Sequence, residues 1–213
     1  MQQELPNADQ TPLRNLRTSS RVARGFSLVE MMVVLTILSI LAALVIPYFE
    51  TTSVDQLQAG VTIVVADVDY ARGLAIANGS NYRITFTPTT NRYQLTHTGT
   101  NTLLNTLPTS PFKLQTDTAT TQTTRFDTLP LGAGELKLVG VLRGTPSAEH
   151  TTVTFTPLGN TSSSDDTLIW LTSGLGTSRR YQAVRVSAVT GLATVEAMTA
   201  TAPTGLAALS SLR

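Results

Sequence analysis

From Phe26 to Phe49 the chain is apolar for 24 residues, with one ionisable side chain, Glu30. As a helix, such a run spans ~36 Å at ~1.5 Å per residue, enough for a bilayer core of ~30 Å. Beyond it the pattern turns one-sided. Val54, Leu57, Val61, Val64, Val68, Ala71 and Ala75 recur at alternating spacings of three and four, while Asp55, Gln58, Asp69 and Arg72 fall on the other face. That period is helical. Pro47 removes one backbone hydrogen bond and predicts a kink, Gly60 costs ~1 kcal/mol relative to alanine, and Asn78-Gly79 is a stop. The reading is one long, bent helix from Phe26 to about Ala77. Its first half faces lipid or sister helices, and its second half lays an apolar stripe on a soluble domain. A coiled-coil seam is the alternative for that stripe, but three heptads are few and strands follow at once.

The period then becomes two. Tyr82, Ile84 and Phe86 alternate with polar residues, Pro88–Asn91 makes a turn, and Tyr93, Leu95 and His97 return, which predicts a hairpin. Residues 98–125 are rich in Thr, Asn, Pro and Gln and read as a long loop, with room for a short strand at Phe112–Leu114. A second strand set covers Leu136–Leu142, Thr152–Thr156, Leu168–Leu171, Gln182–Ala188 and Ala193–Ala197, separated by Gly-, Pro-, Ser- and Asp-rich segments. The fold class is α+β: a long N-terminal helix packed on an antiparallel β-sheet head. The expected organisation is a leader (1–25), an apolar helix (26–49), an amphipathic half of the same helix (50–78), a β-rich head (79–202) and a flexible tail (203–213).

Charge adds an orientation. Residues 1–25 hold Arg14, Arg17, Arg21 and Arg24 against Glu4 and Asp9, so the positive-inside rule leaves this end in the cytoplasm and carries the C-terminal bulk across the membrane. An ordinary secretory signal is cut after its apolar region, where no A-x-A-like site appears here. The whole chain has formal charge +1; without residues 1–25 it is 11 − 12 = −1. Near neutrality offers no nucleic-acid footprint. The absence of cysteine excludes disulfides, Cys-ligated zinc and thiol catalysis.

Gly25-Phe26-Ser27-Leu28-Val29-Glu30 before a long apolar run resembles the signal of type IV pilins and type II secretion pseudopilins. The resemblance implies cleavage by a prepilin peptidase/methyltransferase between Gly25 and Phe26, N-methylation of Phe26, and a conformational role for Pro47, which becomes mature residue twenty-two. It also implies that Glu30, mature residue five, pairs with the positively charged Phe26 N-terminus of a neighbouring subunit during assembly. The alternative for Glu30 is snorkelling to the interface, because it lies only ~6 Å in from the new terminus. Implied partners are other pseudopilins or pilins, an inner-membrane assembly platform and an assembly ATPase.

Phe155-Thr156-Pro157-Leu158-Gly159, an apolar strand, then Thr190-Gly191 before a last strand resemble the GspH/FimT family of minor pseudopilins, as does the segment from Asp67 to Ala77. That pattern runs F-x-P-x-G, strand, Thr-Gly-Arg hairpin. Here Leu192 stands where it has arginine. The implied function is a minor pseudopilin of the type II secretion pseudopilus, resident in the inner membrane with its head outside the cytoplasm until it enters the filament. The alternative is a minor type IV pilin for pilus assembly or DNA uptake.

No enzyme chemistry is expected. His97 and His150 lack a second ligand or nucleophile at useful spacing and read as exposed strand-edge or loop residues. No P-loop, H-E-x-x-H or nucleophile elbow occurs. Asp165-Asp166 offers too few oxygens for Ca²⁺. Arg179, Arg180 and Arg185 form at most a small basic patch without interleaved aromatics, so nucleic acid is not an expected partner. No metal or cofactor is expected.

Overall fold

The computed structural model describes residues 27–45, 53–108, 117–130, 136–145 and 147–207. The chain divides into two units, Met1–Phe49 and Glu50–Arg213.

The first unit contributes α1, Leu28–Val45. Its side chains are exposed all round, from Leu28 through Leu41. Its hydroxyls are satisfied locally: Thr36 Oγ1 donates to Met32 O (2.7 Å) and Ser39 Oγ to Thr36 O (2.8 Å). At ~1.5 Å per residue its 18 residues span ~27 Å. Among the described residues no helix is long and apolar enough to cross a membrane. Phe26 and residues 46–52, with Pro47, lie outside the described residues, as do the leader and the Phe112–Leu114 strand.

The second unit opens with α2, Ser53–Asn78. The stripe behaves as its spacing requires. Leu57, Val61, Val64, Val68, Ala71 and Ala75 are buried, and Val54 is half-buried at the start. Burying a Val or Leu side chain contributes ~1.5–3 kcal/mol, so this face fixes α2 to the head. The helix ends where Gly79 turns left-handed (φ 57°). Ser80 N then donates to Ala75 O and Gly79 N to Ile76 O, a Schellman arrangement. Gly60 faces the head: a Cβ there would lie 2.4 Å from Leu136 Cδ2.

Two antiparallel sheets follow. The first has the order β3 (Thr121–Arg125), β2 (Arg92–His97), β1 (Tyr82–Thr87), β6 (Thr152–Phe155). The second has the order β5 (Ala148–His150), β4 (Lys137–Arg143), β7 (Thr167–Ser173), β8 (Arg180–Val186), β9 (Ala193–Val195). The expected hairpin is present, with Tyr82 opposite His97 and Thr87 opposite Arg92. Two expectations change. Residues 121–125 of the Thr-rich stretch form a strand, because β2 offers them a paired edge. The strand at 152–155 pairs with β1 rather than with the later strands.

Asn91 joins the sheets. In the left-handed region (φ 50°), its Nδ2 donates to Leu136 O and its Oδ1 accepts from Leu138 N at 2.8 Å. One core cluster holds the α2 stripe, the inner faces of β1 and β2, and Ile169, Leu171, Val184 and Val186. The outer face of the second sheet is apolar as well: Val139, Leu142 and Tyr181 are covered by Leu206. Gly140 leaves room for Leu206, whose Cδ2 would lie 2.6 Å from a Cβ there. Residues 203–207, expected within a flexible tail, thus include a buried anchor, and Ala207 N donates to Glu149 Oε2.

Candidate functional site

Two features can serve association: the apolar helix α1 and the end of the head where α2 terminates. In α1, Glu30 sits in the first turn, the only described charge on the helix. A carboxylate in the first turn is favoured by the helix dipole. Gly25 and Phe26, the expected cleavage pair, lie outside the described residues.

Within the head, Arg72 brings together the two glycine turns read from the sequence. Its Nε–H is shared between Gly159 O (3.1 Å) and Thr190 O (2.8 Å). The first turn is built on β6. Phe155 is fully buried, Thr156 N donates to Asn160 O, Gly159 N donates to Thr156 O, and Gly159 adopts φ 84°. Pro157 and Leu158 project outward, Leu158 at 89 % exposure. In the second turn Gly191 N donates to Ser187 O, and Gly191 adopts φ 66°. The turns touch: a Cβ on Gly191 would lie 2.0 Å from Gly159 O. Leu192 is half exposed beside this contact. Arg72 was placed on the solvent face by the helical pattern. Its position one residue beyond the buried Ala71 was the available signal.

The neighbouring charges are paired within the head. Arg185 binds Glu196 (2.5 Å) and Asp166 (3.4 Å), and Glu196's hydrogen bond first of all raises its pKa. Asp166 Oδ1 also accepts from Ala188 N at 2.9 Å. Arg180 Nη1 donates to the carbonyls of Thr177 and Arg179, and Arg179 Nε to that of Gly174. Among the described residues no group of three or more metal-ligating side chains occurs.

His97 corrects its expected exposure. It is 8 % exposed, with Nε2 at 2.6 Å from Ser80 Oγ and Nδ1 at 2.8 Å from Asn105 Oδ1. The Tyr82 ring meets it edge-on at 5.0 Å. Ser, His and Asn in this order resemble a catalytic relay. The surroundings do not serve one: Ser80 is itself buried, and the amides of Gly79 and Ser80 are committed to Ile76 O and Ala75 O, leaving neither to stabilise an oxyanion. The relay ties the 101–105 turn to the end of α2. His150 is half-buried in β5. A second buried tie joins Asp67 of α2 to Tyr93 and Thr124: both hydroxyls donate to its Oδ2, at 2.6 and 2.9 Å. Burial first, then the Asp67 charge, pushes the Tyr93 phenol well above its ordinary pKa.

Residues 20–46 match the family model of the prokaryotic N-terminal methylation motif. The matched span contains the Gly25–Phe26 junction and α1. No curated protein matches the chain. Among solved structures, the type IV minor pilin FimU of Pseudomonas aeruginosa is similar in two crystal forms. One form is 13% identical with a TM-score of 0.43, covering 70% of this chain and 98% of FimU. The other is 14% identical with a TM-score of 0.44, covering 71% and 95%. The chain carries the prokaryotic N-terminal methylation motif in front of an α+β head.

Proposed function

We propose that this chain is the precursor of a minor pseudopilin, a structural subunit of a type II secretion pseudopilus. The observation that carries the reading is the methylation motif running directly into a helix that is apolar on every side and holds a single charge, Glu30. A helix apolar all round must lie in lipid or among other helices. The subunit uses both. Prepilin peptidase cuts between Gly25 and Phe26 and methylates Phe26. The helix stores the subunit in the inner membrane with its head outside the cytoplasm, and the assembly platform then moves it from lipid into helix contacts. Glu30 meets the Phe26 N-terminus of a neighbour, which rewards one axial stagger, because a carboxylate is costly in an apolar filament core unless paired. Other pseudopilins are the partners, and association is the whole of the chemistry.

Mass spectrometry of the membrane-resident protein is expected to find a chain starting at methylated Phe26; an intact 1–25 segment would overturn the scheme. Glu30→Leu is expected to leave membrane insertion unchanged and to abolish incorporation into filaments. Normal incorporation would remove the pairing step. Genes for a secretin and secreted hydrolases beside this one favour the secretion filament; a retraction ATPase and competence genes would assign the subunit to a pilus instead.

A further inference from the structure

The outward face of the first sheet is unlike the rest of the head. Tyr82, Ile84, Phe86, Tyr93 and Leu95 point inward, so the alternate residues of β1 and β2, with their neighbours on β3 and β6, point away from α2. That outward set consists of Arg83, Arg92 and Arg125 among one glutamine and seven threonines, with no carboxylate on the strands. Arg92 and Arg125 stand directly opposite each other across β2 and β3. Like charges so placed repel. Their Nε atoms are shielded from water and meet no acceptor among the described residues. Arg83 Nε donates to the neutral Thr154 hydroxyl at 3.1 Å. The ion pairs described in the head belong to Arg185, none to these three. At the rim, Asp117 accepts from Thr123 N, and Asp127 and Glu149 lie beyond the strand ends in a cleft with Arg125 and Lys137.

We propose that this face docks on anionic lipid headgroups of the membrane that stores the subunit. The inference rests on the membrane-stored reading above. Guanidinium and hydroxyl donors suit phosphate oxygens. An anion between the guanidinium ends of Arg92 and Arg125 removes their repulsion. No aromatic side chain stands on the face to stack a base, which disfavours a single-stranded nucleic acid. Seven residues separate α1 from α2, so a head tethered that closely meets the lipid surface at high effective concentration. Docking holds the head down in storage and is released when the subunit enters a filament.

The chain has no cysteine, so Thr85→Cys, in the middle of this face, accepts one environment-sensitive label in the full-length protein. The labelled protein is reconstituted in neutral phosphatidylcholine vesicles and in vesicles containing phosphatidylglycerol. The expected result is equal flotation with both. The label should be shielded only in the anionic vesicles, and the effect should vanish at about 1 M salt, where the Debye length is ~3 Å. Each single arginine-to-glutamine change should lower the docked-to-undocked ratio roughly fivefold. The triple change to lysine should retain docking even if the triple change to glutamine fails to fold. Equal shielding in both vesicle types, or docking indifferent to the three arginines, overturns the inference and leaves the membrane-stored reading standing. Failure to float with neutral vesicles overturns that reading and this inference together. Shielding by a short DNA duplex but not by anionic lipid assigns the face to nucleic acid and overturns the lipid assignment.

Discussion

Arg72→Met removes the hydrogen bonds that hold the Gly159 and Thr190 turns to α2 while keeping an apolar stem over the same surface. A hydrogen bond from a charged donor contributes about 1.5–3 kcal/mol. Here one N–H is shared by two carbonyls, and the Thr190 contact is open to water, so the loss is set at about 2 kcal/mol. A domain of this size loses ~2–4 °C of Tm per kcal/mol, which makes the expected shift about 4–8 °C. The assay is thermal unfolding of the full-length protein in detergent, followed by near-UV circular dichroism of Trp170 and the tyrosines. Far-UV signal would mix in α1. Gly191→Ala should cost more than Arg72→Met, because it combines a left-handed backbone with a Cβ 2.0 Å from Gly159 O. The two costs should fall short of additive, since both changes open the same contact. A Tm for Arg72→Met within about 1 °C of wild type would show that water replaces the arginine without loss, and the clamp would have no energetic content.

Gly60→Ala should destabilise the head although alanine is the better helix former by ~1 kcal/mol, because its Cβ meets Leu136 at 2.4 Å; in denaturant titrations that cost should shrink in a Leu136→Ala background, the two changes falling short of additive. Alkaline pH should weaken the head through Tyr93. Its folded pKa lies above the ordinary value of about 10, so the protonated phenol's stabilisation is full below that pH and is lost as pH rises through the folded value. Tyr93→Phe should flatten the dependence above pH ~10 while lowering stability at neutrality, both read from chemical unfolding midpoints. Gly99→Ala should break the His97 relay, since a Cβ would stand 1.9 Å from Ser80 Oγ; faster amide exchange at 101–105 is the check.

Periodicity made most of this architecture legible. The α2 stripe, its Asn78-Gly79 end and the β1–β2 hairpin follow from side-chain alternation that burial enforces. One unexpected strand, Thr121–Arg125, carries no apolar alternation, because its inward residues Gln122 and Thr124 lie opposite Leu95 and Tyr93 at the sheet edge. Polar residues there satisfy α2 instead, as Thr124 does with Asp67. Which sheet β6 joins could not be read from its own four residues, since the pairing is decided by β1. His97 looked exposed because its partners, Ser80 and Asn105, lie 17 and 8 residues away. Arg72 was hidden by longer separations, 87 and 118 residues. Long-range polar ties leave no periodic trace, so the candidate site was readable as motifs and not as a contact.

The cover over the second sheet sets an order on the making of the head. Leu206 closes over Val139, Leu142 and Tyr181, and Thr199 brackets Tyr181 by two backbone hydrogen bonds of 2.8 Å. These residues follow every described strand, so they are the last of these parts to leave the ribosome. Until they arrive, the nine described strands can pair while one apolar surface stays bare. A head still being made is therefore a client for chaperones and a target for proteases. A stop codon placed just after Met198 should yield a chain that is made yet cleared quickly, with little intact head accumulating in the cell.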